Sequence, residues 1–321
     1  VLRLLFWSFV IWLIVRTFLF QTYKIPSSSM HGTLYEGDYI LVNKMAYGAR
    51  LPMTPLSFGE KHLDWLQLPY FRLFGYSEIK RADVVVFNLP VYQEGPIDVQ
   101  AEYIKRCIAL PGDTISIAHG VVFVNGYKEK ESANIYHNYT VESKTEIDPS
   151  VLSRLNIREG AASGNNQYSF FMSVKQADSL EYQKNVLAVK PNIMAKSSYH
   201  PSFYPNYSTV QWNLDFFGPL WVPKAGDSIL LNQTHLYLYQ RLIEQHEKTI
   251  LTLKGDSVFI NDAYTKYYVF QQNYYFVLGD NRYNSKDSRY WGFVPESHII
   301  GKASMILFSD QKNGRSFLSI K

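Results

Sequence analysis

The chain has 321 residues, 46% of them apolar and 16% aromatic, which is enough to bury a core and too apolar for a disordered segment. A formal net charge of +4 with no concentrated Lys/Arg block argues against a nucleic-acid partner. The single cysteine, Cys107, excludes an internal disulfide, and eight scattered histidines with no His-x-x-x-His pair leave no expected metal site or cofactor.

Residues 4–15 (Leu-Leu-Phe-Trp-Ser-Phe-Val-Ile-Trp-Leu-Ile-Val) carry no charge; Arg3 precedes them and Arg16 interrupts before Thr17-Phe18-Leu19-Phe20. The stretch 1–20 is close to the ~20 residues a helix needs to cross a bilayer. Arg3 and Arg16 can snorkel to opposite headgroup layers, and Trp7 and Trp12 suit an interface. A cleavable signal peptide is disfavoured, because Gln21-Thr22-Tyr23-Lys24 offers no small-x-small site. A buried soluble helix is disfavoured by apolar residues on all sides. With an Arg at each end, charge does not set the orientation. The chain opens on Val1 rather than Met, which leaves room for an earlier segment and a further span.

Beyond the anchor the chain reads as mainly β. Residues 38–43, 83–87, 103–110, 121–124, 267–278 and 302–308 are rich in β-branched and aromatic residues. Gly37-Asp38, Gly112-Asp113, Gly226-Asp227 and Gly255-Asp256 read as turns that launch strands, and Asn125-Gly126 as a tight hairpin turn. Residues 127–225 are polar and rich in Tyr, Asn and Ser. Within and after them, 149–155, 173–182 and 235–247 read as helices, the last capped by Asn232 or Thr234. The expected organisation is an anchor (1–20), a catalytic β-domain in two parts (21–114 and 266–321) and a larger inserted β/α domain (115–265).

Three segments carry candidate chemistry. The first is Ile25-Pro26-Ser27-Ser28-Ser29-Met30-His31-Gly32-Thr33-Leu34. Taken alone it reads as a polar loop, with His31 an exposed loop residue, since neighbours in sequence do not make a triad. The second is Tyr103-Ile104-Lys105-Arg106-Cys107-Ile108-Ala109-Leu110-Pro111-Gly112-Asp113. Adjacent residues of a strand face opposite sides, so Lys105 and Arg106 cannot both face water on one side. Two readings of Lys105 stay open. It is an edge-strand charge that blocks aggregation, or a buried amine whose pKa falls far enough to take a proton from a hydroxyl. The third runs from Gly279-Asp280-Asn281-Arg282-Tyr283-Asn284-Ser285 through Lys286-Asp287-Ser288-Arg289 to Tyr290-Trp291-Gly292-Phe293, and reads either as a hydrogen-bonded structural loop or as part of a site.

Together, and in this order, the anchor and these segments resemble the bacterial signal peptidase I (leader peptidase) family, as do 37–48 and 80–87. The resemblance implies the family's β fold and a membrane-bound serine endopeptidase that removes signal peptides from exported preproteins, cleaving after small-x-small residues. It implies Ser29 as nucleophile, Lys105 as general base, and Ser27 with the Ser29 backbone N–H as the oxyanion hole. Ser285 matches a serine that orients the lysine; Asp280, Asp287 and Arg289 match residues that support the site. Tyr23, Ile25, Pro26, Met30 and Ile104 fall where the family lines its substrate pockets. The partners implied are signal peptides and the lipid bilayer, and the location is the outer face of a bacterial cytoplasmic membrane. Gly32, His31 and Tyr283 depart from the family pattern, and 127–225 carries no matching motif. The competing readings are the self-cleaving domain of an SOS-type repressor, which the anchor opposes; an inactive tethered binding protein, which the intact motif positions oppose; and a Ser29–His31 hydrolase.

Overall fold

The computed structural model describes residues 2–55, 66–91, 95–255, 257–311 and 315–320. Helix α1 (Leu2–Ile14) runs on through a π-helical turn, Val15–Leu19. The result is one helix, Leu2–Leu19, of mean hydropathy 1.8, long and apolar enough to cross a membrane and with none of its window buried in protein. That exposure removes the soluble-core reading of the segment. The helix ends where Phe20 turns extended. Its last carbonyls are met from the body of the protein: Lys44 donates through its backbone N to Leu19 O (2.9 Å) and through Nζ to Arg16 O (2.9 Å). A cation at a helix C-terminus satisfies orphan carbonyls and the helix dipole together.

The main sheet holds eight strands, all paired antiparallel: β1 (Phe20–Lys24), β2 (Asp38–Asn43), β3 (Val84–Asn88), β4 (Glu102–Ala109), β5 (Tyr274–Leu278), β6 (Val294–Pro295), β7 (Ile299–Ser309) and β8 (Leu318–Ser319). Their order is β1-β2-β7-β3-β4-β5-β6, with β8 on β7. The uninterrupted apolar run of β3 follows from burial on both faces. Val84 and Val86 pack with Ile25, Met30 and Ile40, whereas Val85 and Phe87 pack with Cys107 and Val277.

The strand expected over 267–278 is two strands. Tyr267–Val269 pairs with Ser228–Leu230, the chain breaks at Gln271-Gln272-Asn273, and β5 begins at Tyr274. The break is anchored by Glu247, which accepts from Gln271 N at 3.0 Å. The three expected helices form as Pro149–Arg154, Val174–Glu181 and Gln233–Arg241, the last continuing into a π turn, Leu242–His246. Asp148 caps the first, a Ser173/Gln176 capping box opens the second, and Asn232 rather than Thr234 caps the third. Asn125 and Gly126 both take positive φ (54° and 81°) in the two-residue turn after Val121–Val124. Each Gly-Asp pair precedes a strand, although Asp256 lies outside the described residues.

Between β4 and β5 the described residues build four smaller sheets, two of which bear on the site. The strands Thr114–Ala118, Val121–Val124 and Phe216–Trp221 share one core with the main sheet through Ile115, Val122, Phe217, Phe276 and Leu278. A four-stranded sheet, ordered Val186–Pro191, Tyr136–Ser143, Gln167–Ser173, Glu159–Gly164, closes a separate core of Val141, Ile147, Phe170, Met172 and Leu180 with two of the helices. This second sheet docks on the third motif by backbone: Tyr136 N donates to Asp280 O (2.8 Å) and Arg282 N to Tyr136 O (2.9 Å).

Candidate active site

Lys105 and Arg106 are consecutive on β4 and both are buried, where sequence alternation required only one of them to leave solvent. Arg106 meets Asp280 in a two-pronged pair, Nε to Oδ1 at 2.8 Å and Nη2 to Oδ2 at 2.6 Å, and donates to Thr33 Oγ1 at 3.0 Å. Lys105 goes elsewhere. Its Nζ donates to Ser29 Oγ at 2.8 Å and to Ile104 O at 2.8 Å. Among the described residues no carboxylate pairs with it. Burial disfavours its charged form and brings its pKa down to about 8, with the fields of Asp287 and Asp280 opposing part of that fall.

Ser29 sits in a 3-10 turn, Ser28–Met30, entered from an extended Ser27 (φ −142°, ψ 160°). The first N–H groups of such a turn have no partner within it. Ser27 Oγ lies 3.4 Å from Ser29 Oγ. The turn is held from the third motif: Asn281 N donates to Ser29 O (3.1 Å), Asn281 Nδ2 to Ser28 O (3.3 Å) and Asn284 Nδ2 to Ser28 Oγ (3.0 Å).

Ser285 is buried in the wall of the same cleft as Lys105, and its hydroxyl has no hydrogen-bond partner among the described residues. It packs onto Gly279, where an added Cβ would stand 2.1 Å from Ser285 Oγ and 2.5 Å from Ser29 O. Gly279 is therefore the absent side chain that lets the serine turn and the Ser285 loop approach each other. Asp287 is fully buried and accepts from Arg289 Nε (2.9 Å), Arg289 Nη2 (2.8 Å) and Gly279 N (3.1 Å). Burial pushes its carboxyl up, but Arg289 and these donors outweigh burial and leave it below the usual range. Asp280 with Arg106 and Asp287 with Arg289 thus form two buried ion pairs rather than parts of the cleft surface.

The cleft over Ser29 and Lys105 has a volume of about 550 Å³ and is lined by Pro26, Ser27, Tyr103, Ile104, Tyr283 and Tyr290, with Glu102 and Lys286 at its rim. Of the five expected pocket residues, Pro26 and Ile104 line it. Ile25 and Met30 are buried in the core beneath the serine turn, and Tyr23 packs against that core and donates to Glu102 at 3.0 Å.

His31 is the residue most at odds with its sequence reading. It is buried, not exposed, and its ring meets the carboxylate of Glu159 rather than Ser29. Nothing in a Ser-rich loop signalled that a strand 128 positions later (159 − 31) would cover it. The two other departures also face inserted segments. Gly32 has φ +96°, and a Cβ there would stand 1.8 Å from Asn134 O; Tyr283 donates its hydroxyl to Asp215. Asn281, Asn284 and Glu159 hold the site together, yet the sequence reading assigned none of them a role. The two asparagines lay inside a motif already singled out, while Glu159 had no local signal at all.

The profile of the family described as signal peptidase, peptidase S26, matches residues 1–182 and 222–308. The internal stretch outside the profile is therefore 183–221, shorter than the 127–225 expected from motifs. A signal peptidase I of Buchnera aphidicola (subsp. Schizaphis graminum) is 29% identical over 96% of this chain and 74% of its own length. One from Aquifex aeolicus is 27% identical over 92% of this chain and 79% of its own. A solved signal peptidase I from Enterococcus faecalis aligns over 70% of this chain and 97% of its own, at 16% identity and a TM-score of 0.26.

Proposed function

The chain belongs to the signal peptidase family, peptidase S26, and on that premise we propose that it is a membrane-anchored serine endopeptidase working through a Ser29–Lys105 dyad. The observation that carries the reading is the 2.8 Å contact between Lys105 Nζ and Ser29 Oγ, made by a buried amine with no carboxylate partner among the described residues. A neutral amine accepts the hydroxyl proton as Ser29 Oγ bonds to the scissile carbonyl carbon. The same amine then gives that proton to the departing nitrogen as the acyl-enzyme forms. It next draws a proton from the water that releases the acyl group. Ser27 Oγ and the Ser29 N–H supply donors for the charge that builds on the carbonyl oxygen.

The substrates are exported preproteins, cut after a small-x-small pattern at the end of the apolar segment. Pro26 and Ile104 form the apolar wall that takes the small side chain, backed by Ile25, Met30 and Tyr23. Ser29 follows Phe20 by nine positions, so a site tethered this closely to α1 works at the membrane surface, where a signal peptide's helix ends. The catalytic body then lies on the outer face of the cytoplasmic membrane.

The test is cleavage of a preprotein bearing an Ala-x-Ala site, in detergent, by the wild type, Ser29→Ala and Lys105→Ala. Cleavage at that site by the wild type, with both variants folded and inactive, is the expected result. Activity surviving in Lys105→Ala would remove the lysine from the mechanism.

A further inference from the structure

We propose that Glu159, the first residue of the inserted strand Glu159–Gly164, is a positioning residue that clamps the Ser29 turn against the Asn281 loop; the inference rests on the reading of Ser29 as nucleophile. One carboxylate oxygen, Oε2, takes two donors, Asn281 Nδ2 and Asn284 Nδ2, both at 2.9 Å. The other, Oε1, meets the ring of His31. Asn281 and Asn284 are the residues that hold Ser28 and Ser29, and His31 is two positions beyond the nucleophile. A single carboxylate thus touches both segments on which the site is built, the Asn281 loop through two amide donors and the serine segment through the His31 ring. A carboxylate suits that place because it offers lone pairs on two oxygens and no donor of its own.

The clamp is sheltered. His31 is 5% exposed, Asn281 is fully buried, and the Glu159 side chain is 16% exposed. Losing the carboxylate removes the group facing the buried His31 ring and takes one acceptor from the amides of buried Asn281 and exposed Asn284, which keep only their Ser28 partners, and this frees the turn to slide. A displacement of about 1 Å at a reacting group can cost ~10²-fold in rate. The neighbouring fit points the same way: Gly32 lies directly beneath Asn134 O, and Tyr136 is hydrogen-bonded to Asp280 and Arg282. The inserted sheet is therefore built against the catalytic turn, and Glu159 is its polar contact there.

Hydrogen exchange and cleavage kinetics on the full chain in detergent test this, comparing wild type with Glu159→Ala, Glu159→Gln, His31→Ala and the exposed control Lys175→Ala. The backbone N–H groups of His31, Thr33 and Leu34 are bonded within the turn and report on it directly. In Glu159→Ala they are expected to exchange at least tenfold faster while β2 keeps its protection. The kcat is expected to fall tenfold or more with KM within twofold. Glu159→Gln keeps one acceptor oxygen and is expected to recover part of both effects; Lys175→Ala is expected to match wild type. Unchanged exchange at 31–34, loss of protection spread equally through β2, or a change confined to KM would each overturn the clamp. If the wild type cleaves nothing, the peptidase reading fails, and the exchange at 31–34 still decides whether Glu159 holds the turn.

Discussion

Lys105 and Arg106 share a strand and a buried setting, but the arginine is neutralised by Asp280 while the lysine, among the described residues, meets a hydroxyl, a carbonyl and the face of the Tyr103 ring. That difference is what separates a structural cation from a candidate base. A paired cation is held charged, whereas an unpaired buried amine is pushed toward neutrality. The two aspartates that keep the region electrostatically balanced are committed to the arginines, at Arg106 and Arg289.

The pH dependence follows from this. The Lys105 pKa falls from the ordinary 10.5 to about 8. The kcat/KM for preprotein cleavage should therefore rise with pH to a plateau, with a midpoint near 8 on its rising limb. The stability contribution has a definite sign. Between about 8 and 10.5 the unfolded chain holds a proton at this lysine that the folded chain does not, so the Lys105 contribution to stability rises with pH across that window. Rate profiles of wild type between pH 6 and 10, each rate corrected for unfolding, check the first statement; activity constant down to pH 6 would exclude Lys105 as base.

Asp280→Ala leaves Arg106 as a buried charge without its carboxylate. Breaking a buried pair from one side typically costs about 3–5 kcal/mol, and denaturant unfolding should show a loss of that order. Asp280→Asn keeps an acceptor and should lose less. An equal, small loss in both variants would mean the pair is more solvated than its burial implies.

Gly279→Ala tests the close approach of the Ser285 loop to the Ser29 turn. The added Cβ would have to displace Ser285 or the Ser29 carbonyl, both of which lie within 2.5 Å of its ideal position. Cleavage should fall by about 10²-fold, in line with a displacement of about 1 Å at a reacting group. The separation from a purely destabilising effect comes from measuring kcat well below the variant's melting temperature.

Ser27→Ala removes one candidate donor to the transition-state oxygen and leaves the Ser29 N–H. A kcat loss of about 10²–10³-fold with KM little changed is expected for such a donor. A variant with wild-type kcat would assign Ser27 to loop structure alone.

Local signals in the sequence determined a good deal. The apolar stretch before Phe20, the Asn125-Gly126 turn, the Ser173 and Asn232 caps and the strands around 38–43 and 121–124 all depend on residues within a few positions of one another, which is the range over which side-chain period and backbone preference act. The alternation rule also required that at least one of Lys105 and Arg106 leave solvent. What it held no means of deciding was which partner each would find. Lys105 and Ser29 are 76 positions apart, and Arg106 and Asp280 are 174 apart, so their meeting depends on strand order and register. The same reason accounts for His31. Its immediate neighbours describe a polar loop, and only the docking of a strand from the distant insertion turns it inward onto Glu159 and makes Gly32 obligatory beneath Asn134. Burial and pairing of charged groups are properties of the assembled packing, and it is there that the chemistry of this site is decided.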